Sequence, residues 1–213
     1  MTPAELAEDT LAYVVPSAMF APVEHDGYVF VAARSAAYVV RVRRMDEDAV
    51  HAEAQERGLE RVEWWLGPHA PPGGEPQLVG MTCAVAPPPV PGVELRPAAP
   101  GEVEEIERAV WGEADPPLED PAVRHTAAFL DGRLAGYGRS HDLHGGVALM
   151  GGAVLPEARG RGVYRALVRA RWEHAVARGT PLLVVQAGTM SAPILAGIGF
   201  EEHGPIRVRV DRL

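Results

Sequence analysis

Alternating and clustered hydrophobic positions predict an ordered series of helices and strands in the first third of the chain. The opening TPAE is a capping box with proline at the first helical position, which predicts a helix over Pro3–Val15. Tyr28–Arg44 is rich in β-branched and aromatic residues and predicts two strands. A helix over Asp46–Arg57 follows, ended by Gly58, and Arg61–Leu66 predicts a further strand. The order β-β-α-β predicts a parallel crossover over the helix.

The second half of the chain shows a similar alternation of apolar strands and amphipathic helices. Apolar residues recur at i, i+3, i+7 and i+8 between Val103 and Trp111, which is the spacing of one helix face. Asp131-Gly132 is a strong hairpin signal. Strands are predicted at Val93–Arg96, His125–Leu130, Leu134–Ser140, Val147–Val154, Leu182–Val185 and Ile206–Val210. The order β-α-β-β-β-α-β-α-β predicts an α/β (α+β) domain.

A proline-rich segment separates the two halves. Pro87–Gly92 reads PPPVPG, and consecutive prolines favour an extended conformation that acts as a semi-rigid spacer. We therefore predict an N-terminal α/β domain at residues 1–86, a linker at 87–92 and a second domain at 93–213.

The composition restricts the class of protein more than it identifies a function. The 213 residues carry a formal net charge of −9, which gives no indication of nucleic-acid binding. No apolar run approaches the roughly 20 residues of a membrane span, and the acidic start MTPAELAEDT lacks a signal-peptide pattern. Cys83 is the single cysteine, so an intrachain disulfide is excluded. We expect a cytoplasmic protein, a monomer or homodimer, that binds neither nucleic acid nor membranes.

One stretch, Val147–Arg171, combines an apolar strand, a glycine-rich turn and a helix. Glycines in the turn let the backbone approach a ligand closely, and the first amides of the helix have no intrahelical acceptor. The helix dipole adds partial positive charge there, so a phosphate fits this end. Arg159, Arg161 and Arg165 add further positive charge. The spacing is neither GxxxxGK[ST] nor the GxGxxG of a dinucleotide-binding unit.

The segment VLPEARGRGVY at Val154–Tyr164 resembles motif A of the GNAT N-acetyltransferase superfamily. A second segment resembles a later motif of that family and keeps Gln186, Ala187, Met190, Pro193, Gly199 and Phe200. The resemblance covers about Val93–Leu213 and implies a mixed, mostly antiparallel sheet flanked by helices. Two positions depart from the family pattern. Tyr164 stands where the family has glycine or alanine, and Leu195 replaces a tyrosine that commonly protonates the leaving thiolate.

The resemblance implies acetyl-CoA, or another acyl-CoA, as co-substrate, without a metal. In the family the turn amides hold the pyrophosphate, and the preceding strand splays from its neighbour to pair with the pantetheine arm. The implied coenzyme-binding residues are Ala153, Val154, Leu155, Arg159, Gly160, Arg161, Gly162, Val163, Tyr164, Arg165, Gln186 and Ser191. The amides of Ala153, Val154 and Leu155 are the expected donors to the thioester oxygen, where negative charge develops.

A base is needed because an amine attacks a thioester only in its neutral form. By analogy with the family, the loop after the first helix lines the acceptor site, which makes Glu113, Asp115 and Glu119 candidates; a solvated acidic loop is the alternative. Tyr164 is a candidate acid, and Tyr137 is a second, although either tyrosine could simply pack in the structure. His141, Asp142 and His144 resemble a catalytic or metal cluster, but they are predicted to form a solvated hairpin tip.

The N-terminal domain is predicted to lack a coenzyme site. Its helix begins with Asp46-Glu47-Asp48, and these carboxylates would repel a phosphate. The domain resembles the degenerate N-terminal domain of some tandem GNAT proteins; an unrelated α/β cap is the alternative.

Two functions follow from the resemblance. The first is an acetyl-CoA-dependent N-acetyltransferase that acts on the amine of a small molecule or aminoacyl compound. The alternative is a non-catalytic acyl-CoA-binding sensor or interaction protein, which the residues at Tyr164 and Leu195 favour. If the missing tyrosine limits turnover, Leu195→Tyr is expected to raise the rate.

Overall fold

The computed structural model describes residues 1–14, 22–33, 35–114 and 120–213. Its helices are α1 (Pro3–Glu8), α2 (Thr10–Val14), α3 (Glu47–Glu56), α4 (Pro100–Trp111), α5 (Val163–Ala177) and α6 (Ala192–Ala196). Its strands are β1 (Val23–His25), β2 (Tyr28–Ala33), β3 (Ala36–Val40), β4 (Arg61–Leu66), β5 (Glu75–Cys83), β6 (Glu94–Pro97), β7 (Val123–Leu130), β8 (Arg133–Leu143), β9 (Gly146–Val154), β10 (Leu183–Ala187) and β11 (Glu201–Arg212).

These elements form two compact units, each built from more than one stretch of the chain. The first unit contains Met1–Thr82, Val185–Pro193 and Glu201–Leu213, and the second contains Cys83–Val184 and Ile194–Phe200. Among the described residues, no helix is both long and apolar enough to cross a membrane.

The first unit has the predicted β-β-α-β order, and its strands follow the order β1-β2-β3-β4-β11-β5. Strands β3 and β4 pair in parallel, as a crossover through α3 requires. The core includes Phe30, Val39, Val50 and Trp64, all fully buried. Alternate residues of β4 are buried, so one face of this strand packs into the core.

The predicted first helix is divided in two at Asp9, where α1 ends and α2 begins. The capping box is present: the Thr2 hydroxyl accepts a hydrogen bond from the Glu5 amide at 3.2 Å, and the Glu5 carboxylate accepts one from the Thr2 amide at 2.7 Å. The predicted end at Val15 lies outside the described residues.

The last strand belongs to the first unit and not, as predicted from the sequence, to the second domain. The reason is its pairing: Arg207–Arg212 runs antiparallel to β4 in unbroken register, and the other edge of β11 pairs with β5. Strand β5 was not predicted, because its sequence EPQLVGMTC contains a proline and a glycine that disfavour strands.

The second unit has the strand order β10-β9-β8-β7-β6, antiparallel except for the parallel pair β9–β10. The predicted hairpin turn joins β7 to β8, with Asp131 and Gly132 both at positive φ, as a two-residue turn of this type requires. Two separate apolar clusters cover the sheet. One contains Val163 and Leu167 of α5, and the other contains Ile106 of α4. The mixed, mostly antiparallel sheet flanked by helices confirms the predicted fold class.

The proline-rich segment is fixed to the second unit and does not form a free spacer. Arg169 of α5 donates a hydrogen bond to the Pro87 carbonyl at 2.7 Å. A Cβ added to Gly162 would lie 2.8 Å from a methyl group of Val90. The segment therefore packs along the first turns of α5, next to the glycine-rich turn.

Candidate functional site

The glycine-rich turn lies between β9 and α5, as predicted. After β9 the chain makes a short 3₁₀ turn over Pro156–Ala158, and Arg159 is extended. Gly160 has φ +74 and Gly162 has φ +86, a left-handed conformation that side chains rarely adopt. Gly162 is also the N-cap of α5. The two glycines therefore allow the reversal that directs α5 back along the sheet.

The amino end of α5 is open to an anion. Its N-cap has no side chain to bond the first amides, and its first turn contains no acidic residue. The first amides of a helix have no intrahelical acceptor, and the helix dipole favours negative charge at this end. Helix α3 of the first unit differs, because the Asp46 carboxylate accepts a hydrogen bond from the Ala49 amide at 3.3 Å and two further acids occupy its first turn.

The three arginines of the turn differ in their pairing. Arg161 forms an ion pair of 2.8 Å with Asp131, which offsets its charge. Arg159 is exposed and donates to the Val154 carbonyl at 3.3 Å. Arg165 is exposed, and its guanidinium lies 3.9 Å from the position that a Gly162 side chain would take. Arg159 and Arg165 are thus better placed than Arg161 to add positive charge to the turn.

A bulge interrupts β9 near its carboxyl end. Gly138 of β8 pairs with Gly152, but Arg139 pairs with Met150, so Gly151 is the additional residue, with φ +54. Bulges of this kind redirect side chains and often lie beside active sites. Gly152, the next residue, is exposed. β9 pairs in parallel with β10 near the start of β9, through Val147 and Ala148, and the bulge lies nearer its carboxyl end.

The predicted thioester-binding amides are not equivalent. The Leu155 amide donates to the Ala135 carbonyl at 2.9 Å, so it is not available to a ligand, contrary to the prediction. Ala153 is buried opposite Tyr137, and Val154 is half-buried. The residues from the bulge to Val154 remain candidates for contact with a thioester.

Tyr164 does not extend over the turn. A Cβ added to Gly152 would lie 3.3 Å from the Tyr164 ring, so the half-buried ring lies beside β9 at the bulge. The ring therefore occupies space beside Gly152 of β9.

A second cluster lies on the α4 face of the sheet, and Tyr137 is its only member that was predicted from the sequence. The Tyr137 hydroxyl donates a short hydrogen bond to the Glu107 carboxylate, and both side chains are buried. The same hydroxyl lies 3.3 Å from the side-chain position of Gly151. Trp111, which is exposed, packs edge-on against the Tyr137 ring, and His125 lies parallel to that ring with centroids 6.1 Å apart.

Burial lowers the pKa of His125; the Arg139 guanidinium acts in the same direction and Glu107 opposes both. His125 is therefore neutral at pH 7, and its Nδ1 has no hydrogen-bond partner among the described residues. The cluster consequently combines a carboxylate, a phenol and a neutral imidazole beside the β9 bulge.

A signal for Glu107 was present in the sequence. Apolar positions in α4 include Val103, Ile106, Val110 and Trp111. Glu107 is at i+4 from Val103, within the same helix face, where a solvated acid is not expected. An acid on the apolar face of an amphipathic helix predicts a buried carboxylate with a specific partner.

The predicted loop acids receive little support. Glu113 is exposed just beyond Gly112, the C-cap of α4. Asp115 and Glu119 lie outside the described residues.

The predicted solvated hairpin tip is wrong for two of its three residues, because His141 and Asp142 lie within β8 and are not exposed. Asp142 bonds His174 of α5 at 2.7 Å and pairs with Arg178 at 3.3 Å, which ties this hairpin to the helix. His141 is buried, which lowers its pKa, and His144 is exposed. No group of three or more metal-ligating side chains occurs in the described part of the chain.

Three residues at or near the second motif have local roles in the fold. Gln186 belongs to the first unit, and its amide donates to the carbonyls of Ala7 and Glu8 at 3.3 and 2.7 Å. Ser191 donates to the Gly188 carbonyl at 3.3 Å. Leu195 is fully buried in the second unit, so it is a core residue and not a lining residue of an open pocket.

Comparison with known proteins relates part of the chain to one family. Residues 92–192 match the model of the acetyltransferase (GNAT) family. No curated protein sequence matched the chain.

Several solved structures share the fold over nearly the whole chain. A GCN5-related N-acetyltransferase from Kribbella flavida is 17% identical, with a TM-score of 0.68, over 97% of this chain and 94% of that one. A putative GNAT-family acetyltransferase from Novosphingobium aromaticivorans is 18% identical, with a TM-score of 0.60, over 99% and 98%. A tandem GNAT protein from the clavulanic acid biosynthesis pathway is 17% identical, with a TM-score of 0.56, over 98% and 87%. At these identities the similarity establishes the fold.

Proposed function

Because residues 92–192 match the model of the acetyltransferase (GNAT) family, we propose that the protein is an acyl-CoA-dependent N-acyltransferase. Its co-substrate is acetyl-CoA, and its acceptor is the amine of a small molecule or of an aminoacyl compound. The amino end of α5 carries this proposal, because its first amides have no intrahelical acceptor and it offers two left-handed glycines and exposed Arg159 and Arg165 to a diphosphate.

The residues present fit a coenzyme diphosphate. Gly160 has no atom within 4 Å of its side-chain position, so the turn is open on that side. Gly162 would meet Val90 if it carried a side chain, so the turn needs glycine there for both space and conformation. From this turn, β9 leads back to the bulge, and a chain bound along β9 would bring its thioester beside Gly151 and Gly152.

Glu107 is the proposed base, acting through Tyr137. As the amine nitrogen attacks the thioester carbon, its proton passes to the Tyr137 oxygen while the Tyr137 proton passes to the Glu107 carboxylate. The hydrogen bond from the Tyr137 hydroxyl to the Glu107 carboxylate provides the path for this transfer. The new bond is C–N, the bond that breaks is C–S, and the electron pair of C–S leaves on sulfur.

Tyr164 is the proposed acid for the leaving sulfur. It is the tyrosine on the α5 side of β9, in contact with the position of Gly152, and it is only half-buried. Its position supports a role in place of the tyrosine that Leu195 replaces. A thiol pKa of about 8.5 makes thiolate a tolerable leaving group, so loss of this acid should slow turnover without abolishing it.

Amine-dependent release of coenzyme A from acetyl-CoA, measured with a panel of small amines and aminoacyl compounds, tests the proposal. Wild-type protein should release coenzyme with at least one amine, and Glu107→Gln should reduce the rate by about 10²–10⁴-fold, the usual contribution of a positioned base. Glu105→Gln is the matched control, because Glu105 is exposed on the same helix. Tyr164→Phe should give a smaller decrease.

Binding of acetyl-CoA without turnover for any amine would contradict the enzymatic proposal. That result would favour the alternative function, a non-catalytic acyl-CoA-binding protein. A normal rate in Glu107→Gln would retain the enzyme but remove Glu107 as its base.

A further inference from the structure

A charged side chain is buried in the second unit, and none of the described carboxylates pairs with it. Arg171 of α5 is 3% exposed. Its Nε donates to the Leu167 carbonyl at 2.9 Å and its Nη1 donates to the Arg139 carbonyl at 3.3 Å. Its Nη2 has no hydrogen-bond partner among the described residues, and no ion pair with an acid is found for it there. Such a group is costly to bury, so its retention calls for an explanation.

Two glycines on neighbouring strands make room for the guanidinium. A Cβ added to Gly138 would lie 3.0 Å from Cζ of Arg171 and 3.1 Å from its Nη2. The side-chain position of Gly152 is 4.0 Å from the same Nη2 and 3.3 Å from the Tyr164 ring. The guanidinium thus lies against the backbone of β8 and β9 at the bulge, where any larger residue at 138 would displace it.

The charge at this point is fixed. Burial lowers the pKa of Arg171, but arginine begins so far above neutral pH that the side chain remains charged. Two backbone carbonyls hold the planar group, and the sheet covers it. In such surroundings the field of a charge is screened much less than in water. Tyr137 and Tyr164 are the titratable groups nearest to it, and an ordinary tyrosine pKa of about 10 keeps phenols neutral at pH 7.

We propose that Arg171 is an electrostatic positioning residue for acyl transfer, which stabilises the negative charge that develops on the thioester at the β9 bulge. This inference rests on the proposed function. Negative charge appears first on the thioester oxygen and then on the departing sulfur. In this proposal both atoms lie beside β9, and the Arg171 guanidinium contacts the face of β9 that packs against α5. Arg171 forms no bond to the substrate and transfers no proton. Its preorganised charge needs no rearrangement during the reaction.

Isotope-edited infrared spectroscopy of bound acetyl-CoA, with ¹³C in the thioester carbonyl, tests the inference without an acceptor amine. A positive charge near the carbonyl polarises it and lowers its stretching frequency. The bound wild-type carbonyl should therefore absorb at lower wavenumber than in water, and Arg171→Met should move it back toward the value in water. Arg169→Met is the control, because Arg169 lies on the same helix but is bound to Glu173 and the Pro87 carbonyl.

With an accepted amine, kcat of Arg171→Met should fall by about 10- to 100-fold, less than the 10²–10³-fold that removal of a direct donor to the oxygen costs. The KM for acetyl-CoA should remain within about threefold, because the charge acts on the transition state and not on coenzyme binding. A residue with a merely structural role would not separate kcat from KM in this way.

The outcomes separate the two proposals. If acetyl-CoA does not bind to the wild-type protein, the proposed function fails. If it binds and the carbonyl frequency is the same in wild type and Arg171→Met, the role of Arg171 is wrong. If Arg171→Met does not fold, Arg171→Gln takes its place in the comparison. The inference is also wrong if the carbonyl of acetyl-CoA bound to the wild-type protein absorbs at a wavenumber no lower than in water.

Discussion

Replacing Gly162 with valine should abolish stabilisation of the protein by acetyl-CoA. Gly162 has φ +86, and a Cβ there would lie 2.8 Å from Val90. A β-branched residue in this left-handed conformation costs about 1–2 kcal/mol, and relief of the contact would rotate the turn and its amides. The diphosphate would then lose the geometry on which its binding depends.

The size of the effect follows from linkage. A ligand at 100 times its Kd adds about 2.7 kcal/mol to the free energy of unfolding. For a protein of this length each kcal/mol shifts the Tm by about 2–4 °C, so acetyl-CoA should raise the wild-type Tm by roughly 5–11 °C. The folded Gly162→Val protein should show a shift near zero, with a lower Tm in the absence of ligand.

The assay is thermal unfolding with and without acetyl-CoA, followed by circular dichroism. Gly179→Val is the matched control, because Gly179 follows the other end of α5, has φ +74 and has no atom within 4 Å of its side-chain position. It carries a similar backbone strain but should retain the full shift. An unchanged shift in folded Gly162→Val would place the coenzyme elsewhere and refute the reasoning.

Three further predictions concern stoichiometry, core packing and pH. Calorimetric titration should give one acetyl-CoA per chain, because acids occupy the start of α3; two per chain would contradict the assignment. Leu195→Tyr should destabilise the protein by about 1–3 kcal/mol in urea unfolding, because Leu195 is fully buried, and should not raise the rate of coenzyme A release. A variant that releases coenzyme A faster and is as stable as wild type would contradict this prediction. Although partial burial opposes ionisation, hydrogen bonds from Trp64 and His51 hold the pKa of Asp211 below its usual value. Its contribution is therefore present above the ordinary aspartate pKa of about 3.9 and is lost as the pH falls through the lower folded value. Urea unfolding should lose less stability on acidification in Asp211→Asn than in wild type, and equal losses would argue against this role.

The local features of the site could be predicted from the sequence because they depend on short stretches of chain. The turn between β9 and α5 follows from Gly160 and Gly162 between a strand and a helix. The hairpin at Asp131-Gly132 follows from two residues that tolerate positive φ. Conformations of this kind are determined by the residues themselves, so distant contacts need not be known.

Features that depend on long-range pairing could not be predicted. Strand β11 pairs with β4 and β5, and no local pattern specifies these partners. Strand β5 carries a proline and a glycine, which local rules assign to a loop. Leu195 was linked to chemistry because its neighbours match a motif, but its burial depends on how the second unit packs.

Buried charges were missed for a related reason. Glu107 and Arg171 both lie on the apolar faces of their helices, between hydrophobic neighbours. A charged residue in a helix is usually taken as exposed, yet here its position within the apolar stripe is the signal. The sequence can therefore indicate that such a residue is buried, while its partner across the sheet, Tyr137 or Gly138, emerges only from the fold.

A crystal structure of the protein with bound acetyl-CoA tests the central claim most directly. The account predicts the diphosphate at the amino end of α5, within hydrogen-bond distance of the amides that follow Arg159. It predicts the thioester at the β9 bulge, with the Tyr137 hydroxyl facing the attacking amine, Glu107 behind that hydroxyl and Tyr164 beside the sulfur. A diphosphate bound away from α5, or a thioester remote from Gly151, would contradict it.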